Sequence, residues 1–209
     1  MSATSETEVC NLALTRIGHN QITDISSDTS KAGDLCRLHF PRTRDAVLRA
    51  HPWNFAVRRA ALAASTTTPN HEYTYAFTLP SDPYCLKVIR TSWEALGYSS
   101  RDEPSAGVWA EAQIPYRIEG RSLLANESAC SIEYIARVTD TSTWDALFTD
   151  AVAARLSSEL CMPLTDNQSA TKTMWDIYMS KLAEARTVDS QEGSPREIVD
   201  VSPWILVRN

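Results

Sequence analysis

In this 209-residue chain, the residues whose types and spacing could do chemistry are a few carboxylates, four histidines, five cysteines and one concentration of arginines. Asp145 with Asp150, and Asp102 with Glu103, are the acid pairs that glycoside hydrolysis would need, because that reaction asks only for two carboxyl groups at a suitable separation. Acids at such spacing are equally at home on solvated helix faces and loops, so neither pair nominates a catalytic residue. His19, His39, His51 and His71 are scattered. His39 reads as a satisfied core histidine, and His51, beside Pro52 and Trp53, as the end of a helix rather than a proton carrier. Cys10, Cys36, Cys85, Cys130 and Cys161 are odd in number and never form a Cys-x-x-Cys pair, so buried, reduced thiols are expected, with neither a disulfide framework nor a zinc site. A Gly-rich phosphate loop, a Gly-x-Ser-x-Gly elbow, a His-Glu-x-x-His pair and a dinucleotide fingerprint are all missing from the sequence. The expectation is a protein without catalytic residues, metal or cofactor.

The arginines point elsewhere. Residues 31–60 carry seven basic and two acidic side chains, in a chain whose formal net charge is −6. Arg37, Arg44 and Arg49 are expected on the solvated face of a helix, available to an acidic protein partner or a weak phosphate contact. An acidic chain with one local basic run is unlike a sequence-specific DNA reader. Hydrophobic residues make up 43% and charged residues 22%, the balance of a folded globular protein. Nothing approaches the ~20 apolar residues of a membrane span, and the start is polar and acidic, so a cytosolic protein with no membrane contact is expected.

The elements that must position these residues can be read from periodicity. Ser5 to Glu8 fits a capping box and opens a helix on which Val9, Leu12, Ala13 and Ile17 recur, with Gly18 closing it. Asp28 to Ser30 can cap a second helix with Ala32, Leu35, Cys36, His39, Phe40, Thr43, Ala46, Val47 and Ala50 on its apolar face. Pro41 is expected to kink or restart that helix, and His51-Pro52 to end it. Six strands follow, at 55–60, 73–79, 85–91, 116–119, 122–125 and 131–138, with Gly120-Arg121 as a tight turn and 97–115 as a long loop. Helix returns at 142–161, rich in small residues and broken by Pro163, and then from a cap at 166–169 to about Val188. That last helix carries a second apolar side, Trp175, Met179 and Leu182, which fits either burial or contact with a neighbour. The fold class is α+β, with the N- and C-terminal helices in one bundle and a central antiparallel β lobe. The divisions are 1–54 and 140–188 for the helical parts, 55–139 for the β lobe, and 189–209 for a docking tail bearing Trp204, Ile205 and Leu206.

The runs Cys10-Asn-Leu-Ala-Leu-Thr-Arg-Ile-Gly18, Ile22-Thr-Asp-Ile-Ser-Ser-Asp28, Lys31-Ala-Gly-Asp-Leu-Cys36 and Arg44-Asp45 to His51-Pro-Trp-Asn-Phe-Ala56 resemble the tail tubular protein A family, the head-to-tail adaptors of short-tailed phages. The resemblance is strong over residues 9–60 and looser from Trp144 to Ala185. It implies a virion tail protein assembled in the host cytoplasm, forming a homo-oligomeric ring, commonly of twelve subunits, between the portal protein and the tail nozzle protein. Genomic DNA would pass through the lumen without sequence-specific binding. A tail that orders on docking to the portal or a neighbouring subunit is expected at 190–209. A connector of long-tailed phages and a polysaccharide or cell-wall hydrolase are the alternative readings.

Overall fold

The computed structural model describes residues 5–66, 69, 71–92 and 115–192. Their fold is α+β, with four α-helices and two three-stranded antiparallel sheets. The chain separates into two compact units, one made by the residues up to Ala56 together with those from Arg137 to the end of the last helix, the other beginning at Val57 and running to Ala136. The tail at 189–209 is described only as far as Glu192, and the expected loop at 97–115 only at Pro115, so Asp102, Glu103, Trp204, Ile205 and Leu206 lie outside the described residues.

In the helical unit, α1 (Glu6–Arg16) begins with the expected capping box: the Ser5 hydroxyl accepts from the Glu8 amide at 3.1 Å, and the Glu8 carboxylate accepts from the Ser5 amide. It ends where Gly18 turns to φ +71° and the His19 amide reaches back to the Leu14 carbonyl at 3.0 Å. The second helix, α2 (Lys31–Ala50), is capped by Ser30 and ends at His51, whose extended backbone is what a residue before proline prefers. It runs unbroken through Pro41, against the expected restart. Proline removes one amide donor, and Pro41 sits on the exposed side, where only a single carbonyl of the preceding turn loses its partner.

The buried stripe of α2 is Ala32, Gly33, Cys36, Phe40, Thr43, Arg44, Val47 and Leu48. Arg44 was expected on the solvated face and is instead buried. The carboxylate of Asp45 explains this, pairing with the Arg44 guanidinium at 3.0 Å and with that of Arg137 at 2.7 Å, since a buried charge is tolerated when paired and hydrogen-bonded. Ala46, expected inside, faces solvent, and Ala50 is half-buried.

The third helix, α3 (Ala146–Thr165), starts later than position 142, because Thr141–Thr143 form a short 3₁₀ turn and Asp145 is the cap. It carries Pro163 in its last turn rather than ending before it. Asp166, in the left-handed conformation, closes the helix with its amide on the Met162 carbonyl at 3.0 Å. Helices α1, α2 and α4 (Gln168–Gln191) all pack on α3. The small residues Ala151, Ala153, Ala154, Ser157 and Ser158 are buried along α3 and let those neighbours approach closely. At one end, Phe40, Trp53, Phe55, Trp144 and Phe148 form an aromatic cluster, with Phe148 edge-on to Trp53, Phe55 and Trp144 at 4.9 to 5.0 Å.

In the β unit, β1 (Val57–Ala61), β6 (Ser131–Ala136) and β3 (Cys85–Ser92) form one sheet in that order. The other sheet is β2 (Tyr75–Thr78), β5 (Ser122–Ala125) and β4 (Tyr116–Glu119). The first strand begins two residues later and ends one later than expected, the second and last are trimmed, and β4, β5 and the positive-φ turn at Gly120 (φ +58°) fall where expected. Residues of both sheets share one core, including Phe77, Val88, Leu123, Ile132 and Tyr134.

Candidate functional site

The sequence runs 10–18, 22–28, 31–36 and 44–56 all lie in the helical unit. Asn11 of α1 holds the loop after it from both sides, its amide donating to the Ile22 carbonyl at 3.0 Å and its carbonyl accepting from the Ile22 amide at 2.8 Å. Thr7 accepts from the Ile25 amide at 3.1 Å. From α2, Arg37 donates to the carbonyls of Ile25 and Asp28 at 2.8 and 2.7 Å, and pairs with Asp34. Gly33 lies so close to this loop that a β-carbon there would sit 2.8 Å from the Asp28 carbonyl oxygen, so the Lys31-Ala-Gly-Asp run has room only for glycine at its centre.

The His51 to Ala56 run is a second brace. Asp189, near the end of α4, accepts from the Asn54 backbone amide at 3.1 Å and pairs with His51 Nε2 at 3.1 Å, while the Asn54 side chain donates to the Asp189 carbonyl at 2.7 Å. Arg186 donates to the Ala50 carbonyl. The Trp53 indole N–H donates to the Val47 carbonyl at 3.0 Å inside the core. Burial pushes the His51 imidazole below its ordinary value, outweighing the opposing pull of Asp189. The expectation that His51 fixes a helix end holds, and Asp189 is the partner that the sequence did not reveal.

The basic residues divide into separate duties. Arg37 clamps the α1–α2 loop, Arg44 is buried against Asp45, and Arg49 is exposed. On β1, Arg59 approaches Glu133 at 4.0 Å, and Arg90 of β3 donates to the same carboxylate at 2.6 Å from the other side. The acid pair Asp145 and Asp150 is also engaged. Asp145 accepts from the amides of Leu147 and Phe148 at 2.8 and 3.3 Å, and Asp150 pairs with Arg16 at 3.0 Å and Lys181 at 3.6 Å. Among the described residues no group of His, Cys, Asp and Glu could hold a metal ion.

The expected apolar side of α4 splits in two. Leu182 is buried, a correction with a simple cause: it lies four residues after Tyr178 and three before Ala185, and those three form the inner stripe of the helix. Trp175 and Met179, four residues apart, stay 41% and 50% exposed although they are large and apolar. Met162, near the end of α3, is 46% exposed. Arg155 of α3 stacks over the Trp175 ring at 4.2 Å and over Tyr178 at 5.3 Å, and is held by Glu159 at 2.8 Å. The indole is thus fixed on one side and open on the other. Neither Met162 nor Arg155 stood out in the sequence, because Met162 lies near a proline expected to end the helix and Arg155 reads as an ordinary solvated charge. Compared with known protein families and with curated proteins, the chain matches none of them.

Proposed function

We propose that this chain is a structural subunit of the head-to-tail adaptor kind, a tail tubular protein A-like ring component that sits between a portal and a tail nozzle and lets DNA pass. The observation that carries the reading is the open face of α4. Its inner stripe is already satisfied by α3, yet it presents Trp175 and Met179 to solvent, with the indole oriented by Arg155. Large aromatic and methionine side chains held rigid at a surface are the usual anchors of protein interfaces. The residues of the resemblance support it from the other side, since they are the ones that brace α1, α2 and the end of α4 into a stiff unit.

On this reading the subunit works by presenting surfaces, and its carboxylates Asp145 and Asp150 act as a helix cap and a charge link. Electron microscopy of the chain mixed with its cognate portal tests the proposal: an added ring of density on the portal is expected. An unchanged portal at saturating protein overturns it.

A further inference from the structure

Two exposed stripes on the helical unit match each other in length and are opposite in charge. On α4, Lys172, Trp175 and Met179 are exposed at helical spacing. Met162 of α3, also exposed, shares a face of its helix with Arg155, which stacks on Trp175. On α1, Glu8, Leu12 and Thr15 are exposed at helical spacing and line, with Thr7 and Gln21, a surface depression of about 380 Å³. Each stripe spans about 10 Å and has a charge at its start and a large apolar residue at its centre.

The stripes lie on opposite sides of α3. The Ser157 hydroxyl donates to the Ala13 carbonyl of α1 at 3.2 Å. Arg155 and Glu159, two residues to either side of Ser157, point about 160° away from it round the helix. The flank of α4 that turns toward α1 is the one with Lys181, which meets Asp150, itself paired with Arg16. Helix directions are fixed by the same contacts. From Ala13 to Arg16 along α1, the partners on α3 run back from Ser157 to Asp150. From Trp175 to Lys181 along α4, they run back from Arg155 to Asp150. Both helices are antiparallel to α3, so α1 and α4 are parallel to each other.

We infer that the stripes are the two halves of one contact between copies of this chain, the Trp175 stripe of one copy seating in the Leu12 depression of the next. The inference rests on the ring reading and supplies its subunit boundary. Rotation about an axis that runs with the bundle preserves helix direction, so the α1 of the next copy arrives parallel to α4. In that register Lys172 faces Glu8, Trp175 packs on Leu12 and Met179 reaches Thr15. The ammonium then meets a carboxylate and the indole an apolar side chain, whereas the reversed register would set Met179 against Glu8. Unlike stripes on opposite sides close head to tail into a ring, while a two-fold pair would need one stripe to fit itself.

The test uses the full chain carrying Thr15→Cys together with Met179→Cys, both exposed positions, while the five native cysteines are buried. It is oxidised with copper phenanthroline, once on the cognate portal and once alone at high concentration, and run on a non-reducing gel. The new thiols sit on opposite sides of α3, so the expected product is a ladder of chain multiples that dithiothreitol collapses. Either change alone should give nothing beyond a dimer. A portal that gains mass from the chain without a ladder overturns the inference and leaves the ring reading standing. A portal that gains no mass overturns the ring reading; the concentrated chain then decides the contact, a ladder upholding it and no ladder removing it. Charge reversal checks the register independently. Glu8→Lys and Lys172→Glu should each lose the mass added to the portal, because like charges then face each other, and the chain with both changes should regain it. A folded double reversal that recovers nothing overturns the pairing.

Discussion

The helical unit and the β unit reach stability by different routes. The helical unit rests on one central helix with small residues along its sides, closed by a cluster of five aromatic rings and by polar braces at the chain reversals. The β unit has a core of medium-sized residues shared by two short sheets, and its connections depend on single long side chains. Arg121 is the main example: from the β4–β5 turn it donates to the carbonyls of Leu79, Pro80 and Cys85 and lies 4.0 Å from the centre of the Tyr84 ring. A helix satisfies its own backbone, so its neighbours can be chosen for packing. Short strands leave carbonyls at their ends that something else must meet.

The contrast can be broken most forcefully at Trp53. It is buried to 1% exposure, packs on Phe148 at 5.0 Å and donates to Val47. Trp53→Ala is expected to cost about 3–5 kcal/mol, read as a shifted urea midpoint with loss of helical circular dichroism. A loss under about 1 kcal/mol would mean that the aromatic cluster is not what closes the unit. The matching change in the β unit, Arg121→Met, keeps an unbranched apolar stem and removes the guanidinium that donates to three carbonyls. About 2–3 kcal/mol is expected, visible as faster hydrogen exchange in the strands β2 and β3 while the helices keep their protection.

A gentler probe uses pH. His51 has a folded value below its ordinary 6.5 because of burial, so the unfolded chain takes up the proton first. Its contribution to stability is therefore fully present above about pH 6.5 and is lost as the pH falls through that value toward the folded one. Unfolding midpoints measured from pH 7.5 downward should decline in this window, and His51→Gln should flatten the decline. The exposed carboxylates Asp24, Asp28 and Asp140, held low by hydroxyl and amide donors, act in a separate window at lower pH, where protonation removes their effect.

The same division explains what was legible from sequence. Caps, helix ends and strands follow local rules, and Ser5, Gly18, Ser30, His51 and the Gly120 turn all stand where those rules put them. What failed was long-range. Arg44 reads as solvated because periodicity cannot show that the Asp45 carboxylate is held between its guanidinium and that of Arg137. Leu182 was grouped with Trp175 and Met179 because all three are apolar, although helix phase ties it to Tyr178 and Ala185. Pro41 is expected to kink or restart α2 and Pro163 to break the next helix, yet both lie inside helices, one on an exposed side and the other in a final turn, so the helix runs only two residues past it. For the candidate surface, Trp175 and Met179 were visible in advance, but the Arg155 that orients the indole was not, because its role depends on α3 and α4 lying side by side.

The smallest expected effect on folding carries the largest consequence for function. Trp175→Ser combined with Met179→Ser alters only side chains that are about half exposed, so unfolding should move by no more than about 0.5 kcal/mol per site. Attachment to the cognate portal, counted by mass photometry with the unaltered chain alongside, tests the central claim most directly. The account predicts that the folded double variant fails to add mass to the portal where the unaltered chain adds a ring. A double variant that loads the portal as completely as the unaltered chain would contradict it.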